Sequence, residues 1–281
     1  MTLTNPMAEA ETLTPLQKRQ LEAVAQLREL LPRYEQTRDS QLRARIEQLT
    51  KLLPTEDGVP MENLWHVLQM HLLIELVNRY WHDRDDYFTA GNVFVYYSVE
   101  QAEDVVRDRQ TVYRGPDFFV VKGIDGRKER ENWVVWLEGK FPDLIVEFLS
   151  DTTANNDRKV KKDIYQKTFR TREYFWYDGY TGEFVGLELV EGEYQPKTPN
   201  ERGWYWSEVL EAWLGVHRST YQRRTFNWLR LFDREGNPVS TDEELARYER
   251  RLREQEALRA QQAEAELERL RQKLREAGLE D

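Results

Sequence analysis

Two carboxylates stand where hydrophobic patterning gives no reason for them. Asp117 heads the run Gly115-Pro116-Asp117-Phe118-Phe119-Val120-Val121, and Glu147 interrupts Leu144-Ile145-Val146-Glu147-Phe148-Leu149. A carboxylate among such residues costs on the order of several kcal/mol unless it is paired, protonated or bound to a cation. With no Cys and only four His in the chain, hard oxygen ligands select Mg²⁺ or Mn²⁺ rather than zinc. The alternative for Glu147 is a buried salt bridge to a lysine or arginine of the segment that follows. That segment, Asp157 to Phe169, reads as a basic helix. Lys161 and Tyr165 are four apart and share a face, while Arg158, Lys159 and Lys162 distribute around it. A lysine aimed at the acids would hold or deprotonate an attacking water and stabilise charge on a pentavalent phosphorus. The plainer alternative is a solvated basic face.

Positioning those groups requires a sheet. Short aromatic and β-branched runs bounded by Gly, Pro, Asp or Asn occur at Asn92–Ser98, Phe118–Val121, Trp133–Leu137 and Leu144–Leu149, and each predicts a strand. Glu173–Tyr177 predicts another, and Phe184–Val190 with Tyr194–Lys197 predicts a hairpin after the turn Asp178–Gly182. Met61–Trp81 carries apolar residues at helical spacing and precedes them. The order of helix, antiparallel strands, helix and strand implies an α/β domain on one central mixed sheet. No Gly-rich loop between strand and helix and no phosphate-binding lysine motif supports nucleotide-cofactor chemistry.

Composition divides the 281 residues into three parts, a helical N-terminal extension (1–53), a domain (54–235) holding all nine Trp, and a tail (240–281). In the first, Thr14-Pro15 predicts a helix start, and Pro32 predicts a kink or a break into two helices. In the last, Ser240, Asp242 and Glu243 predict a cap and an acidic first turn. Ala260, Ala263, Leu267, Leu270, Leu274 and Ala277 alternate three and four apart, the seam of a coiled coil, with Leu245, Tyr248 and Leu252 one residue out of register. A coiled coil implies a homodimer or a partner protein. A single solvated helix held by Glu/Arg pairs is the alternative. The net charge of −10 excludes whole-molecule attraction to nucleic acid, leaving a local basic patch or bridging metal ions for any polyanion. Mean hydropathy is −0.81 and no apolar run of about 18 residues occurs, so no membrane association is expected. Met1–Pro15 lacks the basic start and apolar stretch of a signal peptide, which makes the cytoplasm the expected compartment.

These residues carry a resemblance. Pro116-Asp117, the run Pro142–Ser150, Thr153, Asp157-Arg158, Lys161, Tyr165 and Glu173-Tyr174-Phe175-Trp176 resemble the Uma-two family of bacterial endonucleases, within the PD-(D/E)XK superfamily. Asp57-Gly58 through Glu62, His66 and Gln69, and the run Gly91–Tyr97, are similar to that family's opening helix and first strand. The resemblance spans about residues 54–235, and the tail is similar to those of members from photosynthetic bacteria. It implies a restriction-endonuclease-like fold and Mg²⁺- or Mn²⁺-dependent hydrolysis of DNA, with Asp117 and Glu147 as metal ligands and Lys161 as the lysine. The superfamily's usual lysine position, two residues after the second acid, is Leu149 here, and the resemblance implies that Lys161 on the next helix replaces it. Glu62 and His66, four apart, would be accessory groups with Tyr165, and Arg158, Lys159 and Lys162 would bind DNA. A nuclease-fold module that binds or assembles through its helical ends without catalysis is the rival expectation.

Overall fold

A computed structural model describes residues 13–55, 63–108, 113–149 and 156–276. Thr14 caps helix α1 (Pro15–Thr37) through a reciprocal capping box with Gln17. The expected break at Pro32 does not occur, because the helix continues through the proline. The chain turns instead at Arg38, which adopts a left-handed conformation (φ 52°), and Asp39 caps α2 (Ser40–Thr50). Helix α3 (Leu64–Tyr80) starts at Asn63, whose side chain accepts from the His66 N–H. There follow β1 (Tyr87–Ala90), β2 (Val95–Tyr96), α4 (Val99–Val106), β3 (Phe118–Lys122), β4 (Trp133–Val134) and the short helix α5 (Val135–Glu138). Strand β5 (Leu144–Leu149) leads to α6 (Asn156–Asp163), which widens into a π-helical turn over Ile164–Phe169. The remaining elements are β6 (Glu173–Asp178), β7 (Phe184–Val190), β8 (Glu193–Pro196), β9 (Tyr205–Ser207), β10 (Ala212–Tyr221), β11 (Arg224–Phe232) and α7 (Asp242–Glu276).

The central sheet is mixed, in the order β1-β3-β5-β6-β7-β8. Only β5 and β6 run parallel within it, and α6 makes the crossover such a pair requires. Phe118, Val120, Val146 and Phe148 face α3 and the small sheet β11-β10-β9, whereas Phe119, Val121 and Ile145 face Tyr165, Phe169 and Trp133. The N-terminal helices pack Leu27, Leu31, Ile46 and Leu49 against Tyr96, α4 and Val134. Burial on both faces explains why β3 and β5 are continuous hydrophobic runs.

The tail does not form the expected coiled coil. It is a single helix, and no helix among the described residues pairs with its stripe, leaving Leu252, Leu258, Leu267 and Leu270 between 40% and 55% exposed. The physical reason is in the seam itself, where three of the six positions are alanines and the register slips after Leu252, so it offers little continuous area to bury. Ion pairs along the surface support the helix instead, Arg247 with Glu243 and Arg253 with Glu249. The ground for a homodimer or partner helix at this seam goes with it. The cap is Thr241 rather than Ser240, in a capping box with Glu244. No described helix is long and apolar enough to cross a membrane.

Candidate active site

Phe118 pairs with Val146 in the antiparallel β3–β5 ladder, so the next pair outward is Asp117 and Glu147, opposite each other on the face that α6 covers. Asp117 precedes β3 and is held from two directions. Its Oδ2 accepts from the Phe148 N–H at 2.7 Å, and its Oδ1 lies 3.3 Å from His66 Nε2. Glu147 is 3% exposed. Lys161 Nζ donates to its Oε2 at 2.9 Å, and the Tyr165 hydroxyl donates to its Oε1. The expected four-residue spacing of Lys161 and Tyr165 therefore delivers one donor to each oxygen of one carboxylate. The salt-bridge alternative for Glu147 is also realised, with Lys161 as the partner.

Burial pushes the Glu147 carboxyl upward and Asp117 adds to that push, both against the opposing pull of Lys161 and Tyr165. Burial also acts to raise Asp117, but the field of Lys161 and the donors His66 and Phe148 outweigh it and hold Asp117 well below the usual carboxylate range. The two acids are thus pulled apart, one firmly anionic and one reluctant to be so. Burial likewise raises the Tyr165 hydroxyl far above its ordinary value, which keeps it a donor. Tyr113 packs edge-on against Tyr165, with ring centroids 5.8 Å apart. Nothing in the sequence marked Tyr113, whose contact with Tyr165 follows only from the packing.

Leu149, at the superfamily's usual lysine position, is buried in the core. Lys159 is exposed and Lys162 partly so, on the helix that carries Lys161. Arg158 belongs to α6 by its backbone, and its side chain lies outside the described residues, as do Glu62, Asp57 and Thr153. Gln69, one turn beyond His66, does not join the acids; it clamps the backbone of Leu229, donating to the carbonyl at 2.9 Å and accepting from the N–H at 2.8 Å. Two hard carboxylates suit Mg²⁺ or Mn²⁺, which keep several waters and need few protein ligands. Among the described residues, no cluster of three or more His, Asp or Glu completes a metal cage.

The central mixed sheet flanked by helices is that of the PD-(D/E)XK restriction-endonuclease-like superfamily, to which a family model matching residues 58–217 assigns the chain. Within it the chain belongs to the Uma2 family, described as "Putative restriction endonuclease", whose family model matches residues 58–217. Among solved structures it is similar to one titled "Crystal structure of a putative nuclease belonging to DUF820 from Anabaena variabilis ATCC 29413", with 14% identity over 54% of this chain and 76% of that one. The TM-score is 0.37, too low to carry weight. No curated protein matches the chain.

Proposed function

We propose that the protein hydrolyses DNA phosphodiester bonds with Mg²⁺ or Mn²⁺ held by Asp117 and Glu147. The observation that carries this reading is that these two acids stand one position beyond the Phe118–Val146 pair of β3 and β5, with Lys161 bonded to the more deeply buried one. A divalent ion at such a pair supplies charge to polarise the phosphate and to lower the pKa of a water. The chain's own groups do the positioning. His66 and the Phe148 N–H fix the orientation of Asp117, and Tyr165 fixes that of Glu147. Lys161 is 28% exposed at its side chain, so it is open to solvent while bonded to Glu147. There its ammonium would orient the attacking water and stabilise charge on the phosphoryl oxygens. Lys159 and Lys162, with Arg158, would bind the DNA backbone beside the site.

The decisive experiment pairs cleavage assays on varied DNA substrates with calorimetric Mn²⁺ titration of the wild type, Asp117→Ala and Glu147→Gln. Both variants are expected to lose cleavage, and Glu147→Gln to bind Mn²⁺ on the order of 100-fold more weakly while remaining folded. Equal Mn²⁺ affinity in Glu147→Gln and wild type would remove Glu147 from the ligand set. One observation favours the second reading, a nuclease-fold binding module: Lys161 and Tyr165 already engage both oxygens of Glu147. Absence of any Mn²⁺ binding to the wild type would decide for it.

A further inference from the structure

The region from Ala212 to Phe232 contains no acidic residue, in a chain with net charge −10, and carries four arginines. One of them, Arg230, is buried against Glu244. The other three, Arg218, Arg223 and Arg224, are exposed, and none has a carboxylate at ion-pair distance among the described residues. The β10–β11 register sets Arg218 opposite Asn227 and Arg224 opposite Tyr221. Arg218 and Arg224 therefore lie on opposite faces of the ribbon, and Arg223 occupies its tip. Beside Arg224, Phe226 is 43% exposed.

The turn itself is unusual. Gln222 and Arg223 both have positive φ, 46° and 64°, in a two-residue loop where Asn-Gly is the ordinary choice. A long cation thus stands at a position that backbone geometry alone would give to glycine.

The ribbon is fastened close to the acid pair. The Tyr177 hydroxyl donates to the Asn227 carbonyl at 2.7 Å, and Tyr177 is the register partner of Phe148, next to Glu147. The second fastening is Gln69 on the Leu229 backbone, one helical turn from His66. The exposed stretch of the ribbon thus begins beside the end of the sheet that carries Asp117 and Glu147.

We propose that the end of the β10–β11 ribbon is an arm that enters the major groove of duplex DNA and grips its phosphates through Arg218, Arg223 and Arg224. The proposal rests on the nuclease reading above and adds the surface that would hold its substrate. A two-stranded ribbon fits a groove about 12 Å wide, and cations on both faces and at the tip match phosphates on both walls. Phe226 supplies an apolar contact to sugars or base edges.

The test is fluorescence anisotropy of a labelled duplex with Ca²⁺ in place of Mg²⁺, comparing wild type with the triple variant Arg218→Gln, Arg223→Asn, Arg224→Gln. Asn at 223 tolerates the left-handed backbone, so the hairpin is retained, and unchanged Mn²⁺ affinity and Tm verify the fold and the metal site. The expected result is binding weaker by roughly tenfold to a hundredfold at about 0.1 M salt, with the slope of log K against log salt shallower by about two to three. Wild-type affinity and slope in the variant would overturn the arm and leave the nuclease reading standing. No duplex binding by the wild type would overturn both.

Discussion

Two buried glutamates on neighbouring parallel strands carry opposite meanings. Glu147 sits near the end of β5 and Glu173 at the start of β6, and they are 3% and 1% exposed. Glu173 is saturated with donors. Lys197 Nζ reaches its Oε1 at 2.7 Å, the Glu208 N–H reaches the same oxygen at 2.9 Å, the Val209 N–H reaches Oε2 at 3.3 Å, and the Ser207 hydroxyl also donates to Oε2. Lys197 follows β8, but Ser207, Glu208 and Val209 come from β9 and the turn after it, so this carboxylate ties the small sheet to the large one. Glu147 has two side-chain donors from a single helix and a second acid across the ladder. Burial of a carboxylate does not by itself mark a site. What separates the two is whether donors have replaced the lost hydration or an acidic neighbour has made the loss worse.

The sharpest way to break this comparison is to neutralise each acid in turn. Glu173→Ala leaves the Lys197 ammonium, 9% exposed at its side chain, with only the half-exposed Glu188 at 3.6 Å, and it orphans the Ser207 hydroxyl and two backbone donors. It is expected to cost about 3–5 kcal/mol, the penalty for breaking one side of a buried pair. Glu147→Gln is expected to change stability by less than about 2 kcal/mol, because the amide oxygen still accepts from Lys161, the amide N–H can donate to the Tyr165 hydroxyl oxygen, and repulsion from Asp117 is relieved. Urea unfolding of both variants measures the difference. Equal losses would mean that the Glu147 pair is structural as well.

A second contrast uses the cations. Lys161→Ala and Lys197→Ala both strand a buried carboxylate and should each destabilise by about 2–4 kcal/mol. Glu188 stands across the ladder from Glu173, but the Ser207 hydroxyl and the Glu208 and Val209 N–H groups still occupy both Glu173 oxygens when Lys197 is removed. Mn²⁺ can compensate only at Glu147, where Asp117 helps to hold it. Millimolar Mn²⁺ is therefore expected to raise the Tm of Lys161→Ala by more than that of wild type, and that of Lys197→Ala by no more than wild type. Thermal scans with and without the ion test this. An equal Mn²⁺ response in the two lysine variants would sink the distinction between the glutamates.

The Glu147 half of this contrast was legible in the sequence and the Glu173 half was not, since Glu173 stood out only as the start of a strand. The run Leu144–Leu149 forms β5 with the expected ends, because a strand buried on both faces leaves an uninterrupted signal with Glu147 as the single exception. The face shared by Lys161 and Tyr165 followed from helical spacing, and their partner from proximity along the chain. The Phe148 N–H bond to Asp117 was invisible, since a backbone donor has no letter of its own. Asn92–Ser98 and Trp133–Leu137 shrink to two-residue strands, the latter passing directly into α5, because tertiary packing overrides β-propensity there. Strands β1 and β9–β11 were missed: β1 and β9 are only four and three residues long, and in β10 and β11 arginines, histidine, glycine and tryptophan interrupt the alternation, while the burial of Arg230 depends on Glu244 from the tail. The tail's heptad pattern was real as a pattern, but a seam needs a facing helix, which a single chain's periodicity does not supply.

Glu244 is the intermediate case, partly buried rather than engulfed, and gives the smallest expected effect. Arg230, 2% exposed, donates Nη1 to one carboxylate oxygen at 2.7 Å and Nη2 to the other at 2.6 Å. Burial acts to raise the Glu244 carboxyl, but the Arg230 fork and the Thr241 N–H outweigh it and hold the group below its ordinary value. A folded-state value below the unfolded one, about 4.3, means that its stabilisation is present above that pH and fades as acid approaches the folded value. Glu244→Gln should therefore lower stability at neutral pH by about 1–3 kcal/mol, and the loss should shrink between roughly pH 5 and pH 3. Arg230 keeps the Ser219 hydroxyl at 3.1 Å and the Val239 carbonyl at 3.0 Å, so the damage stays below that of Glu173→Ala. Urea midpoints across that pH range, read for wild type and variant together, check both magnitude and sign. A difference that grew toward acid would mean that the folded carboxyl sits above its unfolded value, placing Glu244 beside Glu147 rather than between the two extremes.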